Sequence, residues 1–190
     1  PGPSHGEAGS MSDELLQSLR DAIRTVPDFP IEGIMFRDIT PVLGDPGLLM
    51  GITKRFAVDM GNLGWRPDAV VGPEARGFIF GPLLATELGV AFVPVRKQGK
   101  LPPPTRQAEY TLEYGTSILE MHEDALSPGQ RVVVIDDLLA TGGTVSACVG
   151  LCEEAGAEVI GSLSVIELVG LDARARLEPV PVHTLIEFPA

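Results

Sequence analysis

The sequence predicts an α/β fold with a central, mostly parallel sheet flanked by helices, on three observations. Strand–loop–helix units recur along the chain. The strands between the loops are almost uniformly apolar, and the polar and glycine residues gather in the loops. Strands this apolar must be covered on both faces, which a parallel sheet with helices on each side achieves. The chain has 190 residues, 44% of them hydrophobic, which suits one domain with a sizeable core.

Each element follows in order. The opening PGPSHGEAGS has neither the charged start nor the apolar middle of a secretion signal, so residues 1–11 are expected to be a mobile extension or cloning remnant outside the fold. From Ser12 the pattern is helical: Leu15, Leu16, Leu19, Ile23 and Val26 recur at helical spacing until Pro27. Residues 27–41 are rich in Pro and Gly yet carry Phe29, Ile31, Ile34, Met35 and Phe36, so this loop is expected to pack against something. Asp45-Pro46 opens a helix running to about Gly61. DAVVG is a buried strand, PEARG a turn, FIFGPLLATELG a helix closed by Gly89, and VAFVPV a strand. Residues 96–122 read as a basic, Gly/Pro-rich loop followed by a hairpin. RVVVID is then a strand, DLLATGG a loop, TVSACVGLCEEAG a helix and AEVIGSLSVIEL a strand. No repeat interrupts residues 12–190, which read as a single domain.

A formal net charge of −12 with 14 basic residues argues against a nucleic-acid surface, and no apolar run is long enough to cross a membrane. Any anionic substrate must be gripped by local cations and backbone N–H groups. Two cysteines, Cys148 and Cys152, one helical turn apart, read as buried reduced thiols and point to the cytoplasm. His5, His122 and His183 form no constellation, and Trp65 reads as packing.

VVVIDDLLATGGT carries the chemistry. Open parallel sheets bind ligands beyond the carboxyl ends of their strands. There Ala140, Thr141, Gly142, Gly143 and Thr144 offer successive N–H groups and two hydroxyls before a helix N-terminus, the parts of a phosphate cradle. Asp136 and Asp137 would repel that phosphate, and suit neighbouring hydroxyls such as a ribose diol, or a magnesium ion. No Walker lysine follows the glycines and no G-x-G-x-x-G opens a helix. A phosphorylated sugar meets both requirements.

VVVIDDLLATGGT also resembles the phosphoribosyl-pyrophosphate signature of the type I phosphoribosyltransferases. VPDFPIEGIMFRDITPVL, RKQGKLPPPT and YTLEYG, in that order, resemble the adenine-using members of that family, and the likeness covers about residues 12–188. The resemblance implies the type I phosphoribosyltransferase fold, with a small N-terminal hood, mainly 25–45, and a flexible lid at about 96–122. It implies magnesium-dependent transfer of phosphoribosyl from phosphoribosyl pyrophosphate (PRPP) to adenine, giving AMP and pyrophosphate in purine salvage, by a cytoplasmic homodimer.

Site residues follow from the same resemblance. Arg76 faces the pyrophosphate, in a turn where a cis Glu74–Ala75 peptide is expected; relatives often have Asp-Ser where this chain has Glu-Ala, so a hydroxyl at Ala75 is lost. Arg96, Lys97 and Lys100 open the lid and offset leaving-group charge, and one of them acts across a subunit boundary. Closing the lid would keep water from an oxocarbenium-like ribose. Glu113 is the candidate acid/base at the purine's imidazole edge. Asp136 and Asp137 hold the ribose hydroxyls and, partly through substrate and water, the metal. The backbone around Met35 and Arg37 reads adenine's edge, while Phe36 and Leu168 enclose the ring. No lysine stands at the VIELVG strand end to read a 6-oxo group. Two alternatives remain at this level: the same chemistry on xanthine or another oxopurine, and a PRPP-sensing regulator, which would want a DNA-binding domain that the one helix before Phe29 does not supply.

Overall fold

The computed structural model describes residues 5–111 and 115–190. The chain divides into two compact units, Pro1–Arg55 and Phe56–Ala190.

In the first unit, α1 (His5–Ala22) leads into β1 (Arg24–Pro27), which runs antiparallel to β2 (Met35–Asp38); α2 (Thr40–Leu43) and the start of α3 (Pro46–Leu63) follow. The helix extends back to His5, through residues the sequence leaves outside the fold, and stops at Ala22. Val26 therefore lies on a strand, not on the expected helix. Thr25 and Val26 are β-branched and find partners in Arg37 and Phe36, and an Arg24–Asp38 ion pair at 3.0 Å fixes the register. Met35, Phe36 and Arg37, expected in a loop, form the other strand of this ribbon. The expectation that the loop packs is only partly met. Phe29 meets Phe36 edge-on with ring centroids 5.0 Å apart, but Phe29, Ile31, Ile34 and Met35 remain exposed. A two-stranded ribbon has too little surface to shelter all of them.

The second unit holds β3 (Ala69–Pro73), α4 (Gly77–Leu88), β4 (Ala91–Lys97), β5 (Thr105–Thr111), β6 (Thr116–His122), β7 (Arg131–Leu139), α5 (Gly143–Glu154), β8 (Glu158–Val169), α6 (Ala173–Leu177) and β9 (Val182–Pro189). They build a seven-stranded sheet in the order β5-β6-β4-β3-β7-β8-β9. From β4 to β9 neighbouring strands are parallel, whereas β6 pairs antiparallel with β4 and β5. Val71, Val93, Val132 and Val134 of the sheet share one buried cluster with Cys148, Leu151 and Cys152 of α5. Both cysteines are free, and burial pushes Cys148 well above the usual thiol range and Cys152 up to about 12. They are packing groups. Trp65 packs too: a Cβ on Gly161 would stand 2.3 Å from its ring.

Of the described residues in the segment read as a lid, 98–104 and Gly115 lie outside strands; the rest belong to β4, β5 and β6. Among the described residues no helix is long and apolar enough to cross a membrane.

Strand order reverses at β3. The chain passes from β3 to β4 on one side and returns to place β7 on the other, so the loops after β3 and β7 diverge and leave a crevice between them. Two glycines keep that crevice tight. A Cβ on Gly72 would approach Ile135 O to 3.2 Å, and one on Gly77 would lie 3.1 Å from the same carbonyl and 2.9 Å from Pro73 Cδ.

The sequence reading missed α6 and β9. They are held by Arg174, which donates to Glu167 Oε1 and Oε2 (3.0 and 2.6 Å), to Val182 O at 2.9 Å and to Thr184 Oγ1 at 3.3 Å. Donating to the Glu167 carboxylate raises the arginine's already high pKa. Glu167 is buried, so losing the arginine leaves its carboxylate uncompensated in charge. The Thr184 hydroxyl still donates to it at 3.1 Å and half of Arg174 is open to solvent, which tempers the loss. Arg174→Ala is expected to lower unfolding free energy by about 1–3 kcal/mol in urea titration; a change below about 0.5 kcal/mol would show the network to be incidental.

Candidate active site

The sequence builds the site from two strand ends. Strand β7 is apolar from Val132 through Ile135 and then carries Asp136 and Asp137 into the crevice, with Asp137 buried at its floor. Beyond Leu139 the chain turns through Gly142, whose φ of +81° is a left-handed conformation that glycine adopts without steric cost. Gly142 is the N-cap of α5 and no side chain caps the helix start, leaving the first N–H groups of α5 without a side-chain acceptor. Arg76, Asp136, Asp137, Ala140, Thr141, Gly142, Gly143 and Thr144 line one cavity of about 200 Å³. The residues proposed from sequence for phosphate and ribose are thus together.

Strand β3 brings the opposing wall. The Glu74–Ala75 peptide is cis, as expected, and Arg76 Nε donates to Asp137 Oδ2 at 2.5 Å. Asp137 is buried while half of the Arg76 side chain is open, so the pair spans the crevice from its floor to its mouth. Asp136 accepts the Asp137 N–H at 2.8 Å. Burial, and then the neighbouring Asp137 charge, push the Asp136 carboxyl well above the ordinary carboxylate range.

A second cavity, of about 310 Å³, adjoins the first and adds Glu74, Ala75, Lys97, Tyr110 and Leu119 to the shared Arg76, Asp136, Asp137 and Thr144. Lys97 therefore faces the crevice. Its neighbours do other work: Arg96 Nε donates to Glu74 Oε1 at 3.2 Å and its Nη1 to Lys100 O at 3.2 Å. Lys97 N also donates to Glu74 Oε1, at 2.8 Å. Neither Arg96 nor Lys100 lines either cavity. Leu168 lies on β8 in register with Phe188 of β9. Met35, Phe36 and Arg37 belong to the first unit, where Arg37 Nη1 donates to Thr25 Oγ1 at 2.6 Å. Glu113 lies outside the described residues.

Three residues with a structural hold on this region escaped the sequence reading. Glu74, treated there as one half of a cis bond, ties the Arg76 turn to the start of the 98–104 loop. Glu120 is buried on β6 and accepts the Gly99 N–H at 3.0 Å and Gln107 Nε2 at 2.7 Å, holding that loop's base. Tyr110 lies in the segment the sequence predicts as a hairpin, and it walls the second cavity. Buried acids on alternating strands are the signal that could have found Glu120.

The geometry agrees with what comparison to known proteins finds. A model of the phosphoribosyl transferase domain matches residues 42–184. The adenine phosphoribosyltransferase of Homo sapiens is 49% identical over 179 residues, covering 94% of this chain and 99% of its own length. Among solved structures, the enzyme of that name from Thermoanaerobacter pseudethanolicus has a TM-score of 0.88 at 48% identity, covering 91% of this chain and 99% of its own. The one from Saccharomyces cerevisiae, crystallised with adenine and an imino-altritol bisphosphate, has a TM-score of 0.88 at 40% identity, covering 91% and 99%. The chain belongs to the adenine phosphoribosyltransferase family.

For this member of the adenine phosphoribosyltransferases, Arg76, Lys97, Asp136, Asp137 and the 140–144 loop fall within the matched domain, and Met35, Phe36 and Arg37 precede it. The acid pair bears a cost that the fold alone does not require. Because the folded pKa of Asp136 is raised, the native state holds its proton at pH values where the unfolded chain has lost it. Stability is greatest below the ordinary carboxyl value of 3.8 and falls as pH rises from there toward the folded value. With a chelator present, Asp136→Asn is expected to be more stable than the parent at pH 7 and to lose less stability between pH 4 and 7. Thermal melts across that range check this, and parallel curves would contradict it.

Proposed function

We propose that the chain transfers the phosphoribosyl group of PRPP to adenine, forming AMP and releasing pyrophosphate, as an enzyme of the pentosyltransferase class. The observation that carries the reading is the single crevice in which an uncapped helix N-terminus, an acid pair and a cation meet at the reversal of strand order. Thr141, Gly142, Gly143 and Thr144 would receive the 5′-phosphate on their N–H groups and hydroxyls. Asp136 and Asp137 would hold the ribose diol and, when ionised, face the positive charge that develops on the sugar as its bond to pyrophosphate breaks. Arg76, placed by Asp137, and Lys97 would take the negative charge of the leaving group.

Among the described residues no cluster of three or more His, Cys, Asp or Glu could hold a metal on its own. The acid pair nevertheless suits a magnesium ion that keeps most of its bonds to water and substrate oxygens. Held by Asp136 and Asp137 in that way, magnesium would offset charge on the pyrophosphate. Glu113 is assigned to acid/base work at the purine ring, and Met35, Phe36, Arg37 and Leu168 to the base, on the family resemblance. Arg96 and Lys100 would act in the lid or across a subunit boundary in a homodimer, and the cytoplasm is the proposed location. Adenine is favoured over oxopurines by the absence of a lysine at the end of β8. A site built for a donor amino group beside a ring acceptor leaves buried groups unpaired with a 6-oxo base.

Incubation with PRPP and magnesium and an equal mixture of adenine, hypoxanthine, guanine and xanthine is expected to yield AMP as the dominant nucleotide. Dominance of IMP, GMP or XMP would replace adenine by that base. Asp136→Asn combined with Asp137→Asn is expected to lower turnover by roughly a hundredfold or more with the fold retained by circular dichroism; unchanged turnover would remove both acids from the mechanism.

A further inference from the structure

The cradle's two glycines are crowded from one side by α6. A Cβ on Gly142 would stand 3.3 Å from Ala173 O, and one on Gly143 would stand 3.4 Å from Arg176 Nη1. A guanidinium therefore lies against the first helical residue of the phosphate loop. The helix that carries it is held firmly, because Arg174 on the same turn is bound to Glu167, Val182 and Thr184.

The two arginines contrast sharply in their engagements. Arg174 spends its donors on the protein, as Arg76 does on Asp137 and Arg96 on Glu74 and Lys100. Arg176 is exposed; its backbone N–H donates to Asp172 O at 3.1 Å, and among the described residues its side chain makes no hydrogen bond or ion pair. It lines a cavity of about 530 Å³ with Glu109, Tyr110, Thr111 and Ser146, and that cavity meets the phosphate crevice at Gly143. An unengaged cation beside an anion cradle has a clear use in a chain of net charge −12, whose overall field repels phosphate.

We propose that Arg176 is a binding residue for the 5′-phosphate, supplying from α6 a counter-charge that adds to the N–H groups of the 141–144 loop. The inference rests on the proposed function, which places that phosphate in the loop. A phosphate monoester carries roughly 1.5–2 negative charges at neutral pH, so it gains more from a nearby guanidinium than a neutral sugar does. Adenine carries no such charge and is indifferent to it. The contribution acts partly through solvent, so it fades as salt shortens the screening length.

Ribose 5-phosphate, titrated calorimetrically into the full chain, reads this directly. Arg176→Gln is expected to weaken its binding roughly three- to tenfold at low ionic strength, with the gap closing at about 0.5 M KCl. Arg176→Lys, which keeps the charge, is expected to retain most of the affinity. Equal affinity of parent and Arg176→Gln at every salt concentration would overturn the proposal, as would a lysine variant as weak as the glutamine one. A parent chain that does not bind ribose 5-phosphate would overturn it too. An Arg176-dependent affinity without any AMP formation would uphold the phosphate contact and remove the transferase reading instead. Because Arg176 is exposed and unpartnered, its replacement leaves the packing of α6 intact.

Discussion

The reversal of strand order at β3 is the constraint from which the rest of the site follows. Without it, the loops after β3 and β7 would lie side by side and no crevice would separate them. With it, an arginine from one strand end and two acids from the other face each other across a narrow gap. Gly72 and Gly77 keep that gap narrow, because a Cβ at either would crowd the carbonyl of Ile135, and one at Gly77 would clash with Pro73. The same closeness strips solvent from Asp136 and sets it beside Asp137, and both effects hold its carboxyl above the ordinary range, which makes the crevice costly to the fold.

Charge is distributed locally against the global field. An acidic chain that handles a polyphosphate cannot rely on long-range attraction, and here most of the basic side chains near the crevice are held by acids. Asp137 places Arg76, Glu74 places Arg96 and the backbone of Lys97, and Glu167 places Arg174. Each carboxylate fixes a cation's direction while leaving part of its charge to the solvent side. Glu120 does the corresponding work on a loop, receiving an N–H from Gly99 in place of a cation.

Those parts of the fold that a local pattern encodes were legible in the sequence. The apolar run before Asp136, the glycines after it, and the helices closed by Gly89 or opened by Pro46 all announce themselves within a few residues. What the sequence hid depends on partners far along the chain. Val26 continues a helical spacing, and it and Thr25 become a strand only because Phe36 and Arg37 pair with them. Strand β9 begins at Val182 after a proline-rich turn and is recruited by β8, and α6 is a single short turn fixed by Glu167 and Thr184. The site shows the same division. Asp136, Asp137 and 140–144 could be read as a motif, whereas Glu74, Tyr110, Glu120 and Arg176 acquire their places from tertiary packing alone.

The central claim is that one crevice, at the tips of β3 and β7, seats a sugar phosphate with its phosphorus on the α5 amides and its diol on the paired acids. A crystal structure of the chain grown with ribose 5-phosphate tests that claim most directly. The account expects the phosphate oxygens within hydrogen-bond distance of the N–H groups of 141–144 and the ribose hydroxyls against Asp136 and Asp137. A phosphate bound elsewhere, or a sugar turned so that its diol faces away from both carboxylates, would contradict it.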